Sequence, residues 1–513
     1  MADEIIDSRF LQTCDIPLDQ LTIQPFTLVI FGGGGDLSRR KLVPAVFHLF
    51  SENELSKGFS VLGFGRHEMT DEQYRAMMRE AVAEFGEGPF DTDRWTAFST
   101  HLFYESGHFE KEESYKKLVE KMRQISNSFP ECGAHIIYYA AVPPHATPLI
   151  IEHLKHLDLC KGAFNAKVIV EKPFGNDRAS AVQLNKILAD AFDESQVYRI
   201  DHYLGKDPVQ NIIFLRFSNS VFEQLWNCRY IDNVQISVAE DIGIEHRGGF
   251  YEETGVVRDI VQNHMMQLIG LVGMEAPIGF KADFIRDEIV KILRSIRPLS
   301  EEHIDKYMVR GQYGRGRIHG KDVPGYRQEE GVVPSSNTPT FFAGKFYIDN
   351  LRWAGVPFYV RTGKSLSRHI TEICIQLKRL PLRLFGRTCD VMEPNVLVLT
   401  IQPDETISLR FNVKYPHASN KVYSAKMILN YREAFKASEH PAYERLLVDC
   451  IKGDLTLFVR QDAVEAMWEV VDPIIARWEN ISPGDFPNYA AGTWGPLDAH
   501  FLLEKEGRCW ITD

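Results

Sequence analysis

The sequence Phe-Thr-Leu-Val-Ile-Phe-Gly-Gly-Gly-Gly-Asp-Leu, residues 26–37, joins a short apolar run to four consecutive glycines. The apolar run predicts a buried strand, and residues 37–50 have the pattern of a helix. A glycine-rich turn at this point lets bare backbone approach a pyrophosphate at the helix N-terminus. Leucine replaces the last glycine of a G-x-G-x-x-G pattern, so a plain glycine-rich turn stays an alternative. The stretch predicts a dinucleotide site formed by Gly32, Gly33, Gly34, Gly35, Asp36 and Leu37.

The alternation of strand and helix continues to about residue 200. Strand-like runs at 59–64, 136–142 and 167–170 are followed by helical patterns at 71–85, 144–156 and 177–192. Such alternation is typical of a parallel sheet with right-handed crossovers. We therefore predict that residues 1–200 form an α/β domain of the Rossmann type.

The rhythm changes after residue 200. Strand-like runs with fewer helices between them occur at 234–238, 340–347, 357–360, 373–377, 396–402, 406–413 and 455–459. This pattern predicts a mostly antiparallel sheet. We therefore predict that residues 201–513 form a larger α+β domain.

Two positive side chains are predicted at the carboxyl edge of the parallel sheet. Arg66 ends the second strand, where an arginine can accommodate a 2′-phosphate, although a simple surface charge is commoner. Lys172 lies in Glu-Lys-Pro-Phe-Gly, residues 171–175, directly after the last parallel strand. Lys172 is therefore expected to face the reactive end of the cofactor. Whether Pro173 is cis is left open.

Residues 199–206, Arg-Ile-Asp-His-Tyr-Leu-Gly-Lys, carry many functional groups in a short connector. The next residues, Asp207 and Pro208, are expected to be the N-cap and first residue of a helix. His202, Tyr203 and Lys206 can donate hydrogen bonds to a phosphate or carboxylate. A solvated loop is the alternative for each of them alone.

His264 lies in a helical run at 256–272. At 3.6 residues per turn it points about 140° away from Asp259, so these two cannot pair within the helix. It falls in line with Ile260 and Leu268, and this periodicity favours a core histidine. His264 becomes a functional candidate only if a carboxylate from another element orients it.

Composition limits the function classes. Of the 513 residues, 44% are apolar and 25% are charged, as in globular proteins. The net charge of −12 argues against a nucleic-acid partner. No apolar run approaches the roughly 18 residues that a membrane span needs, and the acidic first residues do not form a targeting signal. Eight cysteines without a metal-binding spacing predict reduced, buried thiols, no metal and a cytoplasmic protein.

Five motifs in register resemble the glucose-6-phosphate dehydrogenase family. They are the glycine loop with Arg40-Lys41-Leu42, residues 171–175, residues 199–206, residues 258–264 and Val-Pro-Phe-Tyr-Val-Arg-Thr-Gly-Lys at 356–364. The resemblance runs from about Phe26 to the end and includes residues 310–314, residues 443–445 and Trp510. Five motifs in order are much more specific than one.

The resemblance implies oxidation of β-D-glucose 6-phosphate at C1 to 6-phospho-D-glucono-1,5-lactone with NADP, the first oxidative step of the pentose phosphate pathway. By family position His264 is the general base and Asp201 its partner. The family's substrate-binding positions correspond to Lys172, His202, Tyr203, Lys206, Glu240, Asp259, Lys364, His369 and Gln402. Lys41 joins the glycine loop, Arg66 and Lys172 as a cofactor-binding candidate. A homodimer or homotetramer is implied, with the antiparallel sheet as the dimer surface.

Three departures from the family pattern qualify this reading. Gly34 lacks the hydroxyl that some relatives place near the 2′-phosphate, so NAD can also be accepted. Thr400 and Trp494 replace arginines of relatives with a second, structural NADP site, so we do not expect that site here. His369 replaces a basic substrate ligand, and Arg368 beside it is an alternative.

Two other functions stay open. A sugar oxidoreductase of the Gfo/Idh/MocA type would share the Rossmann domain and the Glu-Lys-Pro turn but would not explain residues 201–206. A catalytically silent NADP sensor is disfavoured by the presence of both His264 and Asp201.

Overall fold

The computed structural model describes residues 23–56, 58–130, 132, 135–161, 165–381, 392–416, 422–435 and 442–512. The acidic N-terminal residues, Cys14 and Cys389 lie outside these ranges. The six described cysteines are thiols, as predicted, although Cys509 is exposed and Cys228 only partly buried. In the ranges given, no helix is both long and apolar enough to cross a membrane.

The first sheet has six strands, all parallel, in the order β3-β2-β1-β4-β5-β6. This is the Rossmann order. The strands are β1 (Phe26–Phe31), β2 (Phe59–Gly65), β3 (Leu102–Ser106), β4 (His135–Ala140), β5 (Asn165–Val170) and β6 (Val197–Arg199). The helices are α1 (Val43–Ser51), α2 (Asp71–Phe85), α3 (Thr92–Ser99), α4 (Glu112–Ser128), α5 (Ala146–His156) and α6 (Arg178–Ala191).

Burial explains why this half was predictable. Strands β1 and β2 are buried along their whole length, because helices cover both faces of a parallel sheet, and they therefore read as continuous apolar runs. Helix α2 begins with a capping box in which Thr70 and Gln73 exchange hydrogen bonds. A π-helical segment, Ser38–Leu42, connects the glycine loop to α1. The predicted parallel sheet is confirmed, and the short strands β3 and β6 are additions to it.

The second sheet has eight strands in the order β17-β16-β15-β14-β7-β13-β12-β8. Every pairing is antiparallel except that of β7 with β13, so the predicted mostly antiparallel sheet is confirmed. Two further pairs of short strands are β10 with β11 and β9 with β18. The strands are β7 (Ile231–Ala239), β8 (Met308–Gly311), β9 (Tyr313–Gly314), β10 (Gly316–Ile318), β11 (Lys321–Val323), β12 (Phe341–Tyr347), β13 (Pro357–Gly363), β14 (Ile370–Leu377), β15 (Val396–Gln402), β16 (Thr406–Lys414), β17 (Val422–Asn430) and β18 (Tyr489–Ala490).

Three expectations for this second part were wrong. The first expectation was that fewer helices lie between the strands, but helices are as frequent there as in the first part of the chain. Residues 455–459 do not form a strand: Phe458 makes only an isolated bridge to Ile200, so this apolar run is buried without a partner strand. Lys206, not Asp207, is the N-cap of α7. The helices are α7 (Asp207–Phe217), α8 (Ser220–Glu223), α9 (Gly248–Val256), α10 (Met266–Gly273), α11 (Ala282–Ser295), α12 (Glu301–Tyr307), α13 (Tyr431–Phe435), α14 (Ala442–Lys452), α15 (Gln461–Asn480) and α16 (Leu497–Glu504), with a π-helical segment at Val257–Met265.

Two helices from the end of the chain join the sheets. Helix α15 contacts α6, α11 and the π-helical segment 257–265. Helix α14 packs on α1, where His48 Nδ1 lies 2.9 Å from Glu444 Oε2. The carboxyl edge of the parallel sheet therefore faces groups supplied by the second half of the chain.

Candidate functional site

His264 and Asp201 meet at the centre of the candidate site. His264 lies in the π-helical segment 257–265 and Asp201 in the connector after β6, and both side chains are buried. The distance from His264 Nδ1 to Asp201 Oδ1 is 2.5 Å. An ionised carboxylate can only accept, so Nδ1 carries the proton and Nε2 keeps a lone pair. This is the tautomer that a general base needs.

The surroundings keep the imidazole neutral. Burial, and then the positive charge of Lys172, lower the pKa of His264 well below its usual value. Lys172 Nζ lies 3.1 Å from His264 Nε2 and so faces the lone pair. Burial raises the pKa of Asp201, while the charge of His202 and the Tyr203 N–H, at 3.0 Å from Oδ1, act in the opposite direction. Burial is the larger effect, so the pKa of Asp201 is raised overall. Because the ammonium of Lys172 can only donate, Nε2 holds the lone pair, and the proton on Nδ1 is donated to Asp201.

Two rings hold the imidazole in place. The ring of Tyr203 stacks on that of His264, with centroids 4.1 Å apart and 19° between the planes. His202 meets the same ring edge-on at 4.7 Å. Asp201, His202 and His264 offer ligand atoms within 4.8 Å of one another, a spacing that a metal could use. The ammonium of Lys172 beside Nε2 would repel a cation, so the arrangement suits proton transfer better.

A carboxylate and two lysines lie next to the base. Lys172 Nζ contacts Asp259 Oδ1 at 3.3 Å, and Lys364 Nζ lies 3.5 Å from Asp259 Oδ2. Burial raises the pKa of Asp259, but the two lysines outweigh it and hold that pKa well below its usual value. Lys364 also donates to Glu240. These four charged groups form one polar cluster beside the base.

The backbone fixes Lys364 in position. Ser365, the next residue, has a φ of +51°, which is uncommon for a residue with a Cβ. Its N–H donates to Ile242 O at 2.9 Å, and the hydroxyl of Tyr489 donates to Lys364 O at 2.8 Å. A non-glycine residue keeps such a conformation only where neighbours determine it, so the turn is pre-organised.

Lys206, Gln402 and His369 form a polar chain on the other side of Tyr203. Lys206 Nζ donates to Gln402 Oε1 and lies 4.5 Å from the centre of the Tyr203 ring. Gln402 Nε2 is 3.0 Å from His369 Nε2. Burial lowers the pKa of Lys206 to about 8. Arg368 is exposed.

An open cleft of about 710 Å³ leads to this chain. Its lining comes from the π-helical segment 38–42 and α1 in the first half of the chain, and from α7, β15 and α14 in the second half. Lys41, Lys206, His369 and Gln402 line it, together with Tyr443. Both halves of the chain contribute charged side chains to this cleft: the cations are Arg40, Lys41, Lys206 and Arg432, and the acids are Glu87, Asp207, Glu405 and Glu444. Binding of an anionic ligand therefore depends on the local group of Lys206, His369 and Gln402 and not on the charge of the whole cleft.

The glycine loop lies at the carboxyl edge of β1, next to β4, where the strand order reverses. Gly32 has a φ of +85°, and a Cβ on it would lie 2.3 Å from Ala141 O. A Cβ on Gly33 would lie 2.4 Å from Gly63 Cα. Both positions therefore require glycine, and this close-packed turn fits a pyrophosphate site at a topological switch point. Leu37 packs against the core, and Asp36 is paired with Arg40 at 3.9 Å.

Arg66 is exposed directly after β2. A Cβ on Gly34 would meet only Met69 Cε and Met77 Cε, at 3.5 and 3.6 Å, which is ordinary contact. Unlike its two predecessors, Gly34 is therefore not required by packing. These cofactor-side candidates form a group separate from the His264 cluster, and Lys172, which follows β5, belongs to both. The peptide bond before Pro173 is cis.

Sequence reasoning missed the support behind Lys172. Glu171 is partly buried and accepts a hydrogen bond from Tyr139 Oη at 2.5 Å. Burial raises the pKa of Glu171, whereas its hydrogen bonds with Tyr139 and Tyr443 lower it. Tyr443 comes from α14, so this network connects the two halves of the chain. The motif at 171–175 and the residues 443–445 were both visible, but nothing in their spacing indicated contact.

Family models match both parts of the chain. Residues 29–211 match the model described as glucose-6-phosphate dehydrogenase, NAD binding domain, and residues 213–511 match its C-terminal domain. The chain belongs to the glucose-6-phosphate dehydrogenase family. Membership of this family accounts for the Rossmann domain and the Glu-Lys-Pro turn, so a protein of the Gfo/Idh/MocA type is not needed to explain them.

Relatives and solved structures agree with glucose-6-phosphate dehydrogenase. Glucose-6-phosphate 1-dehydrogenase of Chlamydia pneumoniae is 44% identical over 498 residues, covering 95% of this chain and 96% of the relative. The Bacillus subtilis enzyme is 40% identical over 488 residues, covering 94% and 97%. A structure of glucose-6-phosphate dehydrogenase in complex with glucose 6-phosphate superimposes with a TM-score of 0.87 at 34% identity, covering 95% of this chain and 99% of the other. The Mycobacterium avium structure gives 0.80 at 35%, covering 96% and 99%.

Proposed function

We propose that this protein oxidises β-D-glucose 6-phosphate at C1 to 6-phospho-D-glucono-1,5-lactone with NADP. This is the first oxidative step of the pentose phosphate pathway. The observation that carries the proposal is the buried pair of His264 and Asp201 near a cleft that Lys41 and Lys206 line, in a chain of this family. The pair is a neutral imidazole held in one tautomer, the chemistry that removal of a hydroxyl proton needs.

His264 acts as the general base. Its Nε2 takes the proton of the C1 hydroxyl, so that the C1–O bond becomes a carbonyl as hydride leaves C1. The positive charge that forms on the imidazole is stabilised by Asp201 through the 2.5 Å contact at Nδ1. Lys172 Nζ, now at Nε2, also has Asp259 as a partner, so it can yield Nε2 to the substrate hydroxyl.

The remaining substrate contacts are divided between sugar and phosphate. We assign Lys172, Glu240, Asp259 and Lys364 to the sugar hydroxyls, because they surround His264. The phosphate is assigned to the cationic and donor groups that line the cleft or lie beside it: His202, Tyr203, Lys206, His369 and Gln402. Lys206 donates to Gln402, and a phosphate is a stronger acceptor for it than an amide.

NADP fits the glycine loop. The glycines at 32 and 33 let the turn pack closely against Ala141 and Gly63. This tight turn keeps the loop at the topological switch point of the sheet, where folds of this type bind a pyrophosphate. When bound, the nicotinamide supplies the hydride acceptor. We propose that Gly32, Gly33, Gly34, Gly35, Asp36 and Leu37 hold the diphosphate with Lys41, and that Arg66 recognises the 2′-phosphate. NADP should be preferred over NAD, but modestly.

Steady-state turnover tests the proposal most directly. The purified protein should reduce NADP with glucose 6-phosphate, and much more slowly with unphosphorylated glucose. A protein that binds NADP but reduces none of it under any sugar phosphate would be the silent sensor, and the proposed activity would be wrong.

We further propose that the protein is a homodimer or homotetramer through the eight-stranded sheet. Tyr423, Met427 and Ile428 on β17 are 59%, 57% and 59% exposed, which is unusual for large apolar side chains clustered on one edge strand. Three further points stay predictions: the domain boundary at residue 200, a cytoplasmic location, and the absence of a structural NADP site where Thr400 and Trp494 stand. Sedimentation at several concentrations tests the oligomer.

A further inference from the structure

A second array of histidine and aspartate, formed by His319, Asp241 and His369, reaches the cleft through His369. Asp241 follows Glu240, and its two carboxylate oxygens face different histidines. Asp241 Oδ2 is 2.8 Å from His319 Nε2, and Asp241 Oδ1 is 3.8 Å from His369 Nδ1. His319 comes from the turn of the β10–β11 hairpin. This hairpin contributes no residue to the lining of the cleft.

The hydrogen bonds in this region have a fixed direction. Lys206 is only a donor, so the Gln402 atom that faces it must be the amide oxygen. The amide nitrogen therefore faces His369 and donates to Nε2 at 3.0 Å. His369 must then carry its proton on Nδ1, which points to Asp241. Hydrogen bonds therefore run from Lys206 through Gln402 to His369. Asp241 lies within ion-pair distance of His369, and His319 is hydrogen-bonded to Asp241 on the other side.

The hairpin turn is built to present His319. His319 has a φ of +48° and Gly320 a φ of +80°, the pair of left-handed residues that a two-residue hairpin needs. The side chain of His319 is 69% exposed, whereas that of Asp241 is 20% exposed. Backbone bonds beside Asp241, from Ser365 N to Ile242 O and from Leu366 N to Glu240 O, tie it to the Lys364 turn.

We propose that His319 is a positioning residue for substrate phosphate, acting through Asp241 on His369. A carboxylate beside a phosphate is repulsive unless donors neutralise it. His319 neutralises one oxygen of Asp241 and so weakens the repulsion between this carboxylate and the phosphate. The other oxygen of Asp241 orients the His369 ring, which lines the cleft. This inference rests on the proposed function, and it extends the phosphate site to a hairpin outside the cleft lining.

His319→Asn tests the inference. Asparagine also tolerates a positive φ, so the turn should keep its shape, but its side chain is too short to reach Asp241. We expect KM for glucose 6-phosphate to rise about three- to tenfold, the effect of one lost hydrogen bond, while kcat stays unchanged. KM for unphosphorylated glucose should not change, because glucose has no phosphate for His369 to contact. The matched control is Lys321→Gln, which removes an exposed positive charge from the same hairpin.

A double variant tests the route. If His319 acts through His369, then His319→Asn should add nothing in a His369→Ala background. Additive effects, equal changes for glucose and glucose 6-phosphate, or an unchanged KM would each overturn the inference. Failure of the proposed catalysis is separate: it would show as full turnover in His264→Asn, whereas the KM comparison would remain readable.

Discussion

His264 Nδ1 lies 2.5 Å from Asp201 Oδ1, although 63 residues separate the two in the chain. The carboxylate comes from a connector at the edge of the parallel sheet and the imidazole from a π-helical segment of the second half. Because both are buried, the contact leaves no room for water between them. The pairing turns a histidine with core-like periodicity into a neutral imidazole whose Nε2 keeps its lone pair and faces Lys172.

His264→Asn should lower kcat about 10²-fold or more, since general-base catalysis typically contributes 10² to 10⁴. KM for glucose 6-phosphate should change little, because binding is assigned to other residues. His246→Asn is a suitable control, since that histidine is 93% exposed. Full turnover in His264→Asn would remove the assignment.

Asp201→Asn should lower kcat less severely. The amide can donate to Nδ1 and so favours the tautomer with its proton on Nε2, the wrong nitrogen. Comparing kcat and the pH profile of the variant with those of the parent checks this. An unchanged profile would mean that Asp201 does not set the state of His264.

The pH profile should depend on Lys172. Burial and Lys172 lower the pKa of His264, so the base stays unprotonated, and kcat/KM should stay level, well below pH 6.5. Lys172→Met removes a positive charge at 3.1 Å, which raises the pKa of His264. The acid limb of kcat/KM should then move to higher pH, at reduced overall activity. A limb that does not move would mean that Lys172 does not face the base in solution.

Lys206→Ala should weaken glucose 6-phosphate far more than glucose. Only the phosphorylated sugar loses a charge-assisted contact. Lys281→Ala, at an exposed position, is the control. Equal losses of kcat/KM on the two sugars would indicate that Lys206 supports the scaffold instead.

Cofactor preference should respond in opposite directions to two changes. Arg66→Ala should cost roughly 1.5 to 3 kcal/mol with NADP and much less with NAD, because one charged contact is lost. Gly34→Ser should raise the preference for NADP, since the position has room for a Cβ and the hydroxyl can reach a phosphate. The measurement is kcat/KM for both cofactors in each variant. If Arg66→Ala lowers both equally, another residue reads the 2′-phosphate.

The sequence by itself determined the parallel half of the fold. Its strands are buried on both faces, so each reads as an apolar run, and the glycines at 32 and 33 are required by backbone packing. It also determined β15 at Val396–Gln402, which has the predicted bounds. Local sequence patterns are enough to predict an element when its side chains are buried against neighbouring strands and helices.

Only the tertiary structure decided which groups meet. Periodicity made His264 a core residue, because no helical pattern shows that Asp201 lies opposite it; the pairing was expected from family resemblance alone. The apolar run at 455–459 looked like a strand, but it lies in the core without a partner strand. Likewise, no spacing along the chain connects His319 with Asp241 or Tyr443 with Glu171. Contacts between distant segments depend on how sheets and helices pack, and that information is spread over the whole chain.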